Sequence, residues 1–289
     1  MNVKNDAERP LEVTAVSAAS PEAPPGYSLD AFHNGGFYVL QPEAEGHRAG
    51  LDAMLLAATV SADATGALAD LGAGAGAAGL AVANRLEGMQ IVLVERAPRM
   101  AQCARMTIEH PLNASLATRV RVIEADVTLR GEARCAAGLA DRAFDHVIMN
   151  PPFNSARDRT TPDELKAQAH AMDSADLFEQ WLRTANAILK QGGQVSLIAR
   201  PESLADILAG LERRFGGIEI TPVCPRTGDD AIRILVTAVK GSRARLLLRD
   251  RIVIHEGAGR DFSPLANDLA NGGRDWPRRT RRSAQKRTK

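Results

Sequence analysis

Cysteine is scarce in this chain, and the little there is does not pair. Cys103, Cys135 and Cys224 are odd in number and far apart, with no CxxC spacing and no Cys/His cluster. That excludes a disulfide framework and offers no metal ligand set, so reduced thiols are expected and no metal. Long hydrophobic runs are missing as well. The longest uncharged apolar-and-glycine stretch, Leu71 to Ala83, is broken by glycines and falls short of a membrane span. The first 26 residues, rich in Ala, Ser, Pro and Glu, lack the basic start and continuous apolar stretch of a signal peptide. They read as a disordered leader. A soluble, cytoplasmic protein with no membrane partner is expected, and no internal repeat is visible.

Net charge is nearly absent: 36 Lys and Arg oppose 35 Asp and Glu, a formal +1. Its distribution is uneven. From Arg274 to Lys289 eight Lys or Arg face one acid, a local +7, which leaves −6 on residues 1–273. Phosphate backbones attract such cationic segments without sequence preference. Arg278, Arg279, Arg281, Arg282, Lys286, Arg287 and Lys289 are therefore candidates for holding RNA phosphates, with a merely solvated terminus as the plain alternative.

At 289 residues the chain holds one large domain plus additions. The expected division is a leader over 1–26, an N-terminal segment over 27–60, the main domain over 61–257, and a C-terminal extension with its basic tail over 258–289. Phe37–Leu40 can form a short strand, and Leu51, Met54, Leu55 and Ala58 fall on one face of a helix. A strand–helix alternation follows. Its strand candidates are Ala67–Leu71, Gln90–Glu95, Arg119–Ala125, Phe144–Met149 and Gln194–Ala199, rich in Val, Ile and Leu as strands buried on both faces should be. Gly79–Leu86, Pro98–Glu109 and Glu202–Arg214 read as helices. Thr161-Pro162-Asp163-Glu164 offers a capped helix start. Ser174 caps a further helix whose apolar stripe runs from Leu177 to Leu189, with Gly192-Gly193 ending it. Ile218–Val223, Ile232–Val239 and Leu246–His255 then suggest an antiparallel closing section. The fold class expected is α/β: a Rossmann-like, doubly wound, mostly parallel seven-stranded sheet with an antiparallel edge.

The first strand runs into Asp70-Leu71-Gly72-Ala73-Gly74-Ala75-Gly76-Ala77-Ala78-Gly79. A glycine-rich strand-to-helix turn lets backbone approach a ligand closely. Gly74-x-Gly76-x-x-Gly79, with Glu95 further on, also satisfies a dinucleotide fingerprint, so an NAD-dependent oxidoreductase has to be weighed. Glu95, Asp126 and Asn150 each end a strand, at spacings of 25, 31 and 24 residues from Asp70 onward. Carboxyl ends of parallel strands share one edge, so these groups outline a nucleoside-shaped site. Asn150-Pro151-Pro152-Phe153 is the sharpest element. Two prolines remove two N–H donors, leaving nearby carbonyls to accept from something else. An amide oxygen and a peptide carbonyl can together grip an –NH2 group, and Phe153 can stack on the attached planar ring. An oxidoreductase leaves that motif unexplained. His146 and His170 are read as structural.

Together, Asp70-Leu71-Gly72-Ala73-Gly74-Ala75-Gly76, Glu95, Asp126 and Asn150-Pro151-Pro152-Phe153 resemble the Rossmann-like methyltransferases with an (N/D)PP(Y/F/W) motif, over roughly Gly36 to Gly257. Gly46-His47-Arg48-Ala49-Gly50-Leu51-Asp52 and Pro225-Arg226-Thr227-Gly228 are similar to segments of the tRNA(Val) adenine-N6 methyltransferase group, which modifies the adenine next to the anticodon. The resemblance implies S-adenosylmethionine as cofactor and tRNA or another structured RNA as partner. It places Asp70, Gly72, Gly74 and Gly76 against the cofactor's methionine part, Glu95 on the ribose hydroxyls, and Asp126 with Val127 at the adenine. Arg48 and Asp52 would line the entrance near the cofactor's amino-acid end. Asn150, Pro151, Pro152 and Phe153 would hold the target amine, with Asn150 also bordering the cofactor. Glutamine-N5 protein methylation, rRNA guanine-N2 methylation and a non-catalytic RNA-binding module are the remaining alternatives.

Overall fold

The computed structural model describes residues 23–43, 48–152, 174–257 and 259–279. Phe153, Thr161-Pro162-Asp163-Glu164, His170, most of the leader and the tail beyond Arg279 lie outside these residues, as does the side chain of Ser174. The chain opens with a hairpin of β1 (Tyr27–Phe32) and β2 (Phe37–Pro42). The helix α1 (Leu51–Ala58) follows, buried on more than the one face its periodicity marks. Then come β3 (Gly66–Leu71), α2 (Ala77–Arg85), β4 (Met89–Glu95), α3 (Pro98–Glu109), the single turn α4 (Ala114–Ala117) and β5 (Val120–Glu124). The short α5 (Gly131–Ala136) leads to β6 (Phe144–Met149). After the gap come α6 (Ser174–Ile188), β7 (Leu189–Ala199), α7 (Leu204–Leu211), β8 (Phe215–Cys224) and β9 (Arg233–Lys240). Two-residue strands β10 (Leu247–Leu248) and β11 (Ile252–Val253) precede α8 (Pro264–Ala270).

Among the described residues the main sheet runs β10-β8-β9-β7-β6-β3-β4-β5, with β11 also against β8. Its seven long strands, β3 to β9, form the expected mostly parallel sheet, in which β9 runs antiparallel to β7 and β8. The antiparallel closing section is narrower than the sequence suggests. Leu246–His255 is not one antiparallel strand but two short pieces, both parallel to β8. Nor does Gly192-Gly193 end the helix: α6 stops at Ile188, and both glycines lie inside β7, where the pairing with β6 shifts register between Phe144 and His146.

Alternation of side chains splits each central strand between two cores. Leu68, Ile91, Leu93, Ile148 and Ile198 face α1, α2 and α3, whereas Ala69, Val92, Val94, Val147, Met149 and Leu197 face α6 and α7. This is why these strands read as continuous apolar runs. The stripe on α6 is buried as its spacing requires, with Phe178, Trp181, Leu182, Ala185 and Ile188 all under a tenth exposed. Hydrophobic transfer at about 25 cal/mol per Å2 makes Phe178, Leu182 and Ile188 each worth roughly 1.5–3 kcal/mol, and Ala185 less than about 1 kcal/mol.

The C-terminal segment straps across the sheet. Trp276 donates its amide to Ala58 O at 2.7 Å and its indole N–H to Thr221 Oγ1 at 3.2 Å, while Asp275 accepts from the Ala62 amide.

Candidate active site

The strand order reverses at β3: β4 lies on one side of it and β6 on the other. A crevice opens at such a reversal of strand order. Leu71 pairs with Met149, so the residues just beyond them, Gly72 and Asn150, flank that crevice.

The glycine loop is held from three sides. Gly72 has φ +72, and a Cβ there would meet Trp181 Cη2 at 2.5 Å, so the indole of α6 forms a wall of the loop. Gly76, at φ +95, is the N-cap of α2 and packs on Leu93. Gly74 is less crowded: a Cβ there would make only an ordinary contact, with Met100 Cε at 3.9 Å. Gly79 comes close to Leu93, which lets α2 approach the sheet.

Three carboxylates end neighbouring strands here. Asp70 is 2% exposed and accepts from the Gly79 amide at 2.9 Å. Burial pushes its carboxyl up to about 7, the Gly79 hydrogen bond opposes this, and the charge of Glu95 adds to it. Glu95 Oε2 accepts from the Gly74 amide at 2.9 Å and Oε1 from the Ala97 amide at 2.8 Å. Each oxygen retains a lone pair for a ligand hydroxyl. Asp126 Oδ1 accepts from the Thr128 amide at 2.8 Å, and Arg96 stands 3.5 Å from Oδ2. Burial works to raise the Asp126 carboxyl, but the Thr128 hydrogen bonds and the Arg96 charge outweigh it and leave it below the usual range. Val127 is buried, and its carbonyl accepts from Thr184 Oγ1 at 2.6 Å.

Asn150 supplies the orphan of the site. Its Oδ1 is buried and has no hydrogen-bond partner among the described residues. An unpaired acceptor in a buried position costs about 1–3 kcal/mol, a cost a ligand donor would relieve. Pro151, buried, and Pro152, exposed, follow without N–H groups of their own.

Asp52 also comes to the carboxyl edge. It pairs with Arg233 Nε at 2.8 Å, and Arg233 begins β9 next to the Ile234–Ala199 pairing. Arg48 instead reaches Asp30 of β1 at 2.7 Å and Ser28 at 2.9 Å. Of the tail residues, Arg279 is exposed, while Arg278 donates to Thr237 Oγ1 at 3.0 Å and to Gly217 O, which turns its guanidinium into the body. His146 lies at the opposite edge, with Asp145 and Lys190 on an open cavity of about 350 Å3.

The sequence marks Trp181 only as core, not as a wall of the glycine loop, and gives no site role to Thr184, Ala97, Arg96 or Arg233. Thr184 did leave a trace: it is a hydroxyl next to Ala185 of the apolar stripe and three residues after Trp181.

The family model for the methyltransferase small domain matches residues 48–223. A tRNA1(Val) (adenine(37)-N6)-methyltransferase from Porphyromonas gingivalis is 25% identical over 219 residues, 73% of this chain and 83% of that protein. A release factor glutamine methyltransferase from Bifidobacterium longum is 28% identical over 198 residues, 65% of this chain and 64% of that one. The crystal structure of a predicted O-methyltransferase, protein Atu636 from Agrobacterium tumefaciens, is 50% identical with a TM-score of 0.70, covering 79% of this chain and all of that one.

Proposed function

This chain belongs to the methyltransferase small domain family, and from that premise we propose that it methylates the exocyclic N6 amine of an adenine beside the anticodon of a tRNA. It is an S-adenosylmethionine-dependent methyltransferase. One observation carries the amine reading: the buried Oδ1 of Asn150, without a hydrogen-bond partner among the described residues, ahead of two prolines, at the switch point of the sheet. An amine has two hydrogens to give, and the Asn150 side-chain oxygen with the Pro151 carbonyl makes two acceptors. A hydroxyl has only one hydrogen, so it would leave one of them unpaired.

The cofactor suits the residues present. With no side chain at Gly74 to intrude, its methionine part can lie against the glycine loop near Asp70, and the backbone amides that pin Glu95 and Asp126 hold both carboxylates at one edge. When bound, it supplies a methyl already activated on a sulfonium. The chain's own work is then to orient the nucleophile. As the amine attacks, positive charge grows on its nitrogen, and the Asn150 and Pro151 oxygens hold that charge better than they hold the neutral amine. Alignment of the amine within the crevice supplies the entropic share. The methylated ammonium loses its proton to water, so no general base is assigned.

The target adenine has to leave its stack to reach Asn150, which favours a loop as substrate. The adenine-N6 name of the Porphyromonas gingivalis relative supports this choice of nucleotide. The test is transfer of labelled methyl to unmodified total tRNA, followed by nucleoside analysis. N6-methyladenosine is expected. Label on a release-factor glutamine, with none in tRNA, would move the activity to the protein substrate.

A further inference from the structure

The strap fixes where the described part of the chain ends. Glu219, 3% exposed on β8, accepts from Arg249 Nη1 at 2.7 Å and from the Arg279 amide at 3.0 Å. Arg249 lies 5.1 Å from the centre of the Trp276 ring and also donates to Pro277 O. With Arg278 on Gly217 O, residues 276–279 are anchored along β8, and the chain passes out of the described residues beside β10. Arg281, Arg282, Lys286, Arg287 and Lys289 follow in the sequence.

That outer edge is itself cationic. From Lys240 to Val253 there are five Lys or Arg and one acid, Asp250. Lys240 turns inward to Asn186 O and Leu189 O, and Arg249 is held by Glu219. Arg243, Arg245 and Arg251 remain exposed, and among the described residues their guanidinium groups have no ion pair or hydrogen bond. Between them Leu246, Leu247 and Leu248 are 44%, 45% and 73% exposed. A second copy of the chain pairing on this edge would bring like charges together. A polyanion would not, and the leucines could lie against its riboses. β10 is four strand positions from β6, so at a spacing of about 4.8 Å the edge is ~19 Å from the Asn150 strand. Residues 243 to 251 span at most ~28 Å of extended chain, enough to meet several successive phosphates.

We propose that the sheet edge from Ser242 to Ile252, with Arg243, Arg245, Arg251 and Arg279, holds the phosphate backbone of the substrate RNA while its loop base occupies the Asn150 site. This rests on the RNA reading above. Arg278 belongs to the anchor, not to the phosphate contacts.

The test compares the full chain with its R243A/R245A/R251A variant. Measured are affinity for unmodified tRNA across a salt series, affinity for S-adenosylmethionine by calorimetry, and sedimentation with phosphatidylserine vesicles. The variant is expected to bind tRNA about tenfold or more weakly at low salt, with the slope of log affinity against log salt reduced by about 2–3. Its cofactor affinity should be unchanged. If the wild type methylates tRNA and the variant matches it in affinity and slope, this edge is not the docking surface. If the variant loses only vesicle binding, the edge faces a membrane and the proposal is overturned. A wild type that binds cofactor but neither binds nor methylates RNA would remove the RNA reading itself.

Discussion

The Glu95 carboxylate and the Gly74 amide are joined by a hydrogen bond of 2.9 Å, which ties the end of β4 to the middle of the glycine loop. One residue therefore shapes the loop and keeps its remaining lone pairs at the strand end where we propose that the ribose lies.

Glu95→Ala should accordingly weaken cofactor binding more than a lost ribose contact alone. A charged hydrogen bond is worth about 1.5–3 kcal/mol, so a roughly 10- to 150-fold rise in the Kd for S-adenosylmethionine is expected. Calorimetry reads this directly. Glu95→Gln, which keeps one acceptor oxygen, should fall between, and equal affinities for all three would show that Glu95 does not touch the cofactor.

Gly72→Ala tests the wall of the loop. The new methyl would meet Trp181 Cη2 at 2.5 Å on a backbone with φ +72. Strain and overpacking together should cost about 2–4 kcal/mol, read as a drop in denaturation midpoint. Cofactor affinity should fall with it. Substitution of Trp181 by Leu in the same variant should recover part of the stability, because it removes the clash but not the backbone strain.

Much of this site was legible because strand ends in an open parallel sheet share an edge. Val-, Ile- and Leu-rich runs located β3, β4, β5 and β6, and Asp70, Glu95, Asp126 and Asn150 followed from where those runs stop. What failed had no such signal. β1 (YSLDAF) is half polar and is completed by pairing with β2, a partner periodicity does not name. Gly192-Gly193 has the local chemistry of a helix stop, yet pairing with β6 carries the strand through it. Leu246–His255 looks like one strand, but Arg249 turns to Glu219 and Trp276, leaving two stubs. Arg278 reads as tail by composition and becomes an anchor because Gly217 O and Thr237 lie within its reach. The Thr184–Val127 contact spans 57 residues of sequence, beyond any local pattern.

Asp70 should make cofactor binding depend on pH. Its carboxyl is pushed up to about 7 from 3.8, so it is protonated in the folded protein at pH 6 and ionised in the unfolded chain. Its contribution to stability is therefore full below about pH 3.8 and is lost as pH rises through about 7. The cofactor's positive charge favours the carboxylate, so binding at pH 6 should release about one proton. Calorimetry at pH 6 in two buffers of different ionisation enthalpy checks this. The apparent heats should differ for the wild type and converge for Asp70→Asn; equal heats in the wild type would show that Asp70 does not titrate on binding.

The central claim is that the Asn150 side-chain oxygen accepts from the amine being methylated. It is tested most directly by single-turnover methyl transfer to unmodified tRNA with Asn150→Ala, alongside cofactor affinity for the same protein. Removing one such transition-state partner should lower the transfer rate about 100- to 1,000-fold while the cofactor Kd rises no more than about threefold. A variant that forms N6-methyladenosine at near the wild-type rate, or one whose whole loss lies in cofactor affinity, would contradict the claim.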